Sequence, residues 1–168
     1  MTDYDIKLMP EQIQKLFQQI PDYKEYLKPF SLLLHGPCGT GKTTTARELA
    51  KTINAEVLEI PLKHGRADML WIKKIESFAR SGNLNFLDGI EDKPFKVVIL
   101  DEMDLIPCQC IPLRAIMNEF AGQLFFIGTT NHKDKINDSV LSRFHCVLMD
   151  GEDIRQKTTH NQIKSLME

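Results

Sequence analysis

Apolar residues fall along the chain in five short blocks, with stretches of helical periodicity between them. The blocks are SLLLH (31–35), VLEIPL (57–62), KVVIL (96–100), QLFFIG (123–128) and HCVLM (145–149). Each has the length of a strand, and KVVIL is continuous enough to be buried on both faces. The first is followed by TTTARELAKTI, where Ala46, Leu49, Ala50 and Ile53 share one helix face and Asn54 closes the helix. Trp71, Ile75, Phe78 and Ala79 mark a second amphipathic helix, stopped at Ser81-Gly82, and Leu113, Ile116, Met117 and Phe120 mark a third. Another begins after Pro10, with Ile13, Leu16, Phe17 and Ile20 at helical spacing, before a connector between Pro21 and Pro29. NLNFLDGIEDKP reads as loop. Strands alternating with helices predict an α/β fold of three layers, with a five-stranded parallel sheet between two helical layers.

Chemistry gathers at the C-terminal ends of these strands. The first is followed by GPCGTGKT, the spacing G-x-x-x-x-G-K-[ST] between a strand and a helix. Glycines let such a loop curl so that its N–H groups face phosphate oxygens, and the helix N-terminus adds positive potential. Gly36, Pro37, Cys38, Gly39, Thr40, Gly41, Lys42, Thr43 and Thr44 are therefore the expected nucleotide-binding residues. Lys42 is suited to the β- and γ-phosphates, and Thr43 to Mg²⁺. The third strand ends in VVILDEMD: Asp101 is placed to hold Mg²⁺ and Glu102 to act as general base on a water molecule. The fourth ends in GTTN, where the amide of Asn131 is suited to orienting that water.

The order of these motifs resembles the AAA+ ATPases, and within them the clamp loaders: replication factor C small subunits and their phage counterparts. GPCGTGKTTTARELA is similar to the family's Walker A segment, VVILDEMD to its Walker B, and GTTN to its sensor 1. CQCIPLRAIMNEF resembles the family's helix in which a Leu-Arg pair precedes Met-Glu and an aromatic, and INDSVLSRFHCVLM the segment that carries Ser-Arg-Cys. The resemblance implies that Arg143 is an arginine finger acting in trans on a neighbouring subunit's ATP. It implies, as partners, other AAA+ subunits, a sliding clamp and primed double-stranded DNA, which DMLWIKKIESFA would face. The chain departs from the family with Ser-Arg-Phe in place of Ser-Arg-Cys, with Ile72 where the family's DNA-facing helix has an arginine, and in having no Tyr-Arg-Pro segment. The likeness implies an AAA+ ATPase core over 31–150, preceded by a helical segment over 1–30. Residues 151–168 have room for one helix, the start of a lid.

Composition narrows the picture in two places. Net charge is −2, so contact with nucleic acid must come from a local patch. One exists: Lys63, Arg66, Lys73, Lys74 and Arg80 stand against only Asp68 and Glu76, a local charge of +3. A solvated helix face explains the same charges, and the clamp-loader likeness turns the reading towards DNA. Four cysteines fit neither a disulfide framework nor paired zinc ligands, so they read as reduced thiols. No apolar run approaches the ~20 residues of a membrane span, and the N-terminus has no signal-peptide layout. These features suit a cytoplasmic protein, or a nuclear one in a eukaryote, with a viral or phage source also compatible. The expected activity is ATP hydrolysis in a clamp-loader complex, weak without partner subunits. An AAA+ helicase loader or initiator is the alternative. A small P-loop kinase fits less well, for it would need an arginine-rich lid and an acceptor pocket.

Overall fold

The computed structural model describes residues 31–62, 70–81, 96–106 and 111–150. The helices expected before position 31 and after position 150 lie outside the described residues, as do Lys63 and Arg66. Five strands, β1 (Ser31–His35), β2 (Glu56–Pro61), β3 (Lys96–Asp101), β4 (Leu124–Thr130) and β5 (Phe144–Leu148), form one sheet in the order β2-β3-β4-β1-β5. Every pairing is parallel, as the alternation of strands and helices requires. The helices are α1 (Lys42–Thr52), α2 (Leu70–Arg80), α3 (Ile111–Glu119) and the short α4 (Asp138–Leu141).

The period-two geometry of the strands explains how one sheet carries two cores. Leu32, Leu34, Val97, Ile99 and Ile127 point to one face and pack against Ala46, Leu49 and Ala50 of α1 and Ile53 just after it. Their neighbours Leu33, Val98, Leu100 and Phe126 point to the other face, against Trp71, Ile75 and Ala79 of α2 and Leu113 and Ile116 of α3. Residues 32–34 and 97–100 are fully buried, so a one-residue register slip would exchange the two faces.

Two helix ends show why the chain turns where it does. Asn54 adopts the left-handed conformation (φ 51°) and donates to the carbonyl of Lys51, while Ala55 donates to that of Ala50. These two bonds satisfy carbonyls the helix leaves open, and asparagine tolerates the backbone they require. At the end of α2, the ammonium of Lys96 donates to the carbonyls of Phe78, at 2.6 Å, and of Ser81, and it lies over the Phe78 ring. A cation there complements the negative end of the helix.

The strand order brings the motifs together. β4 lies between β1 and β3, so the phosphate loop after β1, the acidic pair at the end of β3 and the GTTN end of β4 emerge side by side at one sheet edge. Ligands of open α/β sheets bind outside the carboxyl ends of the strands.

Candidate nucleotide-binding site

The loop leaves β1 through Gly36, whose φ of 142° suits glycine. A side chain here is excluded by space as well: a Cβ would stand 2.2 Å from the carbonyl oxygen of Met149. Gly39 and Gly41 also take left-handed φ values, 79° and 81°, and curl the loop into the start of α1. Lys42, the first residue of α1, turns its ammonium back into the loop. It donates to the carbonyls of Gly36 at 2.9 Å and Pro37 at 2.6 Å. Burial pushes the Lys42 ammonium below the usual lysine range, and the carboxylates of Asp101 and Asp104 offset part of that. Thr40 also donates to the Pro37 carbonyl, which fixes the crest of the loop.

Asp101 is buried at the end of β3, and its Oδ1 accepts two hydroxyl hydrogen bonds: Thr43 at 2.7 Å and Thr129 at 2.6 Å. The Thr43 hydroxyl and the Asp101 carboxylate thus meet as an oxygen pair at the foot of the phosphate loop. A hard cation that keeps most of its waters needs only one or two such protein oxygens, so the donor set fits Mg²⁺. Among the described residues no group of three His, Cys, Asp or Glu is arranged as a metal cage.

Glu102 follows with φ 62° and ψ 54°, a left-handed conformation that is strained for a residue with a Cβ. Its backbone N–H donates to Thr129 Oγ1 at 3.1 Å, so one threonine holds both the carboxylate of Asp101 and the backbone of Glu102. Asp104 secures the neighbouring strand end, accepting from the Thr130 hydroxyl at 2.7 Å and the Asn131 N–H at 3.3 Å. Cys38, Gly39, Gly41, Lys42, Thr43, Thr44, Asp101, Glu102, Thr129, Thr130 and Asn131 line one open cleft.

The strain at Glu102 gives a measurable expectation. Glu102→Gly and Glu102→Ala both remove the side chain, so their difference isolates the backbone. The glycine variant should be the more stable by about 1 kcal/mol, the reverse of the usual order. Thermal or denaturant unfolding of the two checks this, and an alanine variant of equal or greater stability would remove the strain.

The structure therefore gathers Lys42, Thr43, Thr44, Asp101, Glu102 and Asn131 around one cleft and leaves Arg143 out of it. Arg143 sits half-buried in the turn between α4 and β5. Its Nε donates to the side-chain oxygen of Asn118 on α3 at 3.1 Å, and its Nη1 to the carbonyl of Ser139. The turn is built by Asn137, whose side chain caps α4 by accepting from the Ser139 N–H at 2.9 Å. Of the basic residues on α2, Lys73 and Lys74 are exposed, while Ile72 is buried. Arg80 is exposed too, and it pairs with Glu119 at 3.0 Å and lies over the Phe120 ring. Thr129, Asp104 and Asn118 carry no site signature in the sequence. Thr129 and Asp104 lie inside the GTTN and DEMD segments, and that adjacency is the signal that points to them.

Comparison with known proteins places this cleft in a family. Residues 32–150 match the ATPase family associated with various cellular activities (AAA), and the chain belongs to that family. The replication factor C small subunit 1 of Pyrobaculum arsenaticum is 35% identical over 118 residues, covering 67% of this chain and 34% of that protein. Replication factor C subunit 2 of Schizosaccharomyces pombe is 32% identical over 119 residues, 67% of this chain and 35% of the relative. The replication factor C small subunit of Methanococcus maripaludis is 28% identical over 173 residues, covering 98% of this chain and 52% of its own length. The chain thus spans between a third and a half of the relatives it matches. No helix among the described residues is long and apolar enough to cross a membrane.

Proposed function

We propose that the chain is the ATP-binding and hydrolysing part of a clamp-loader-type AAA+ complex that loads a sliding clamp onto primed DNA. The observation that carries the reading is the meeting of Lys42, Thr43, Asp101, Glu102 and Asn131 at the adjoining ends of β1, β3 and β4, in a chain similar to replication factor C subunits.

In this reading the loop N–H groups and the Lys42 ammonium hold the triphosphate, Lys42 exchanging its loop carbonyls for phosphate oxygens. Thr43 and Asp101 hold Mg²⁺, which neutralises charge on the phosphates when bound. Glu102 takes the proton of the attacking water, and Asn131 orients that water. Thr129 and Asp104 hold the adjoining ends of β3 and β4 together beside the loop. Arg143, held outside its own cleft, serves the nucleotide of an adjoining subunit, where a guanidinium stabilises charge on the transferred phosphoryl without proton transfer. The exposed Lys73 and Lys74, with Arg80, Lys63 and Arg66, contact the phosphate backbone of DNA.

The test is ATP turnover of the purified chain alone, with partner subunits, and with clamp and primed DNA added in turn. Turnover should be low for the chain alone and rise at the last addition. A rise with a replicative helicase in place of the clamp would transfer the site to helicase loading. DNA affinity should also be ionic: the α2 contacts alone, Lys73, Lys74 and Arg80, would weaken binding about 40-fold between about 50 and 200 mM salt, and Lys63 and Arg66 would steepen the fall. Affinity independent of salt would remove the α2 face from the interface.

A further inference from the structure

The cation proposed to reach a neighbour needs a fixed direction, and it lies at the end of a long side chain on a turn. Two groups fix it. The Ser139 carbonyl takes Nη1, and the side-chain oxygen of Asn118 takes Nε at 3.1 Å. A guanidinium is planar, so bonds at Nε and one Nη set its plane and leave its remaining N–H donors for another group.

The chemistry of the acceptor matters as much as its position. Asn118 offers a neutral oxygen, which orients the cation and leaves its charge uncancelled. A carboxylate in the same place would pair with the guanidinium and weaken its field. The adjacent carboxylate, Glu119, is directed away from Arg143 onto Arg80 of α2, at 3.0 Å, where the Phe120 ring also receives that guanidinium. The end of α3 thus presents an amide to one arginine and a carboxylate to the other.

We propose that Asn118 is a positioning residue for Arg143, holding its guanidinium plane in the direction that reaches an adjoining subunit's nucleotide. The inference rests on the reading of Arg143 as a group that acts in trans. Asn118 lies outside the cleft of its own chain. It should therefore affect turnover at the neighbour's site and leave its own chain's nucleotide binding unchanged.

Asn118→Ala tests this. The residue is exposed on a helix, and alanine is the better helix former, so the fold is retained. In a reconstituted complex holding more than one copy of the chain, turnover should fall about 10- to 100-fold, the cost of a misplaced group. Nucleotide affinity should not change.

Mixed assemblies separate this role from a general loss of structure. Asn118→Ala chains mixed with Glu102→Gln chains should regain part of the wild-type rate, because the latter supply a positioned arginine to the former's intact sites. Asn118→Ala mixed with Arg143→Ala should regain none, since neither chain then offers a competent arginine. Recovery in that second mixture would put the defect in the chain's own site and overturn the proposal. So would wild-type turnover of Asn118→Ala. Arg143→Ala mixed with Glu102→Gln is the control: no recovery there, in a complex shown to assemble, would overturn the trans role of Arg143 and the positioning role with it.

Discussion

Arg143→Ala should lower ATP turnover of the assembled complex by about 10³-fold, the worth of an arginine supplied in trans to other P-loop enzymes. Nucleotide affinity of the isolated chain should stay as it was. The two outcomes follow from one geometric fact: Arg143 is fixed by Asn118 and Ser139 and does not line the cleft that holds Lys42 and Glu102. An arginine acting on its own chain's γ-phosphate would instead cost affinity and turnover together. Single-turnover kinetics on the complex, set beside nucleotide titration of the chain alone, separates these cases. Equal loss in both measurements would bring the arginine back to its own site, as a kinase-like arrangement requires. The fall should also exceed that of Asn118→Ala, which leaves the guanidinium present and only loosens it.

Glu102→Gln should reduce turnover by roughly 10²- to 10⁴-fold, the range for losing a general base, with nucleotide binding retained. Glutamine keeps the size of the side chain and, because the strain at this position belongs to the backbone, changes φ and ψ no more than glutamate does. The hydrogen bonds from Thr43 and Thr129 to Asp101, and from the Glu102 backbone N–H to Thr129, stay in place in this variant. The amide cannot accept the proton of water. A bound nucleotide that turns over at the wild-type rate in this variant would remove Glu102 as the base. Loss of binding would mean that the carboxylate shapes the site, not the reaction.

The fold was open to reading because its signals are local. Strand lengths, helical spacing and the Asn54 terminator are properties of a few neighbouring residues, and the observed β1 spans the same five residues the apolar run marks. The alternation that sends Leu33 to one core and Leu32 and Leu34 to the other is hidden in SLLLH, since a strand buried on both faces shows no polar-apolar contrast. The candidate loop and the acidic pair were legible because glycine turns and adjacent carboxylates mark themselves by residue type and fixed spacing. Thr129, Asp104 and Asn118 were not, because each acts through a partner 25 to 28 positions away in the chain. A threonine that bridges Asp101 and Glu102 is written like any strand threonine. The left-handed turn at Glu102 was equally hidden, for glutamate gives no local sign of it. The basic run from Lys63 to Arg80 showed its charge but not its allegiances, and Arg80 proves to have an acidic partner on α3.

The contact between Gly36 and Met149 has a mechanical meaning. Met149 is fully buried, its N–H donates to the His35 carbonyl at 2.7 Å, and its own carbonyl occupies the space a side chain at position 36 would need. The first residue of the phosphate loop and the residue that follows β5 are therefore packed directly against each other. With a backbone carbonyl standing where a side chain would go, the loop has no room to shift towards β5 at Gly36, so the phosphate end of the site and the chain leaving β5 constrain each other directly.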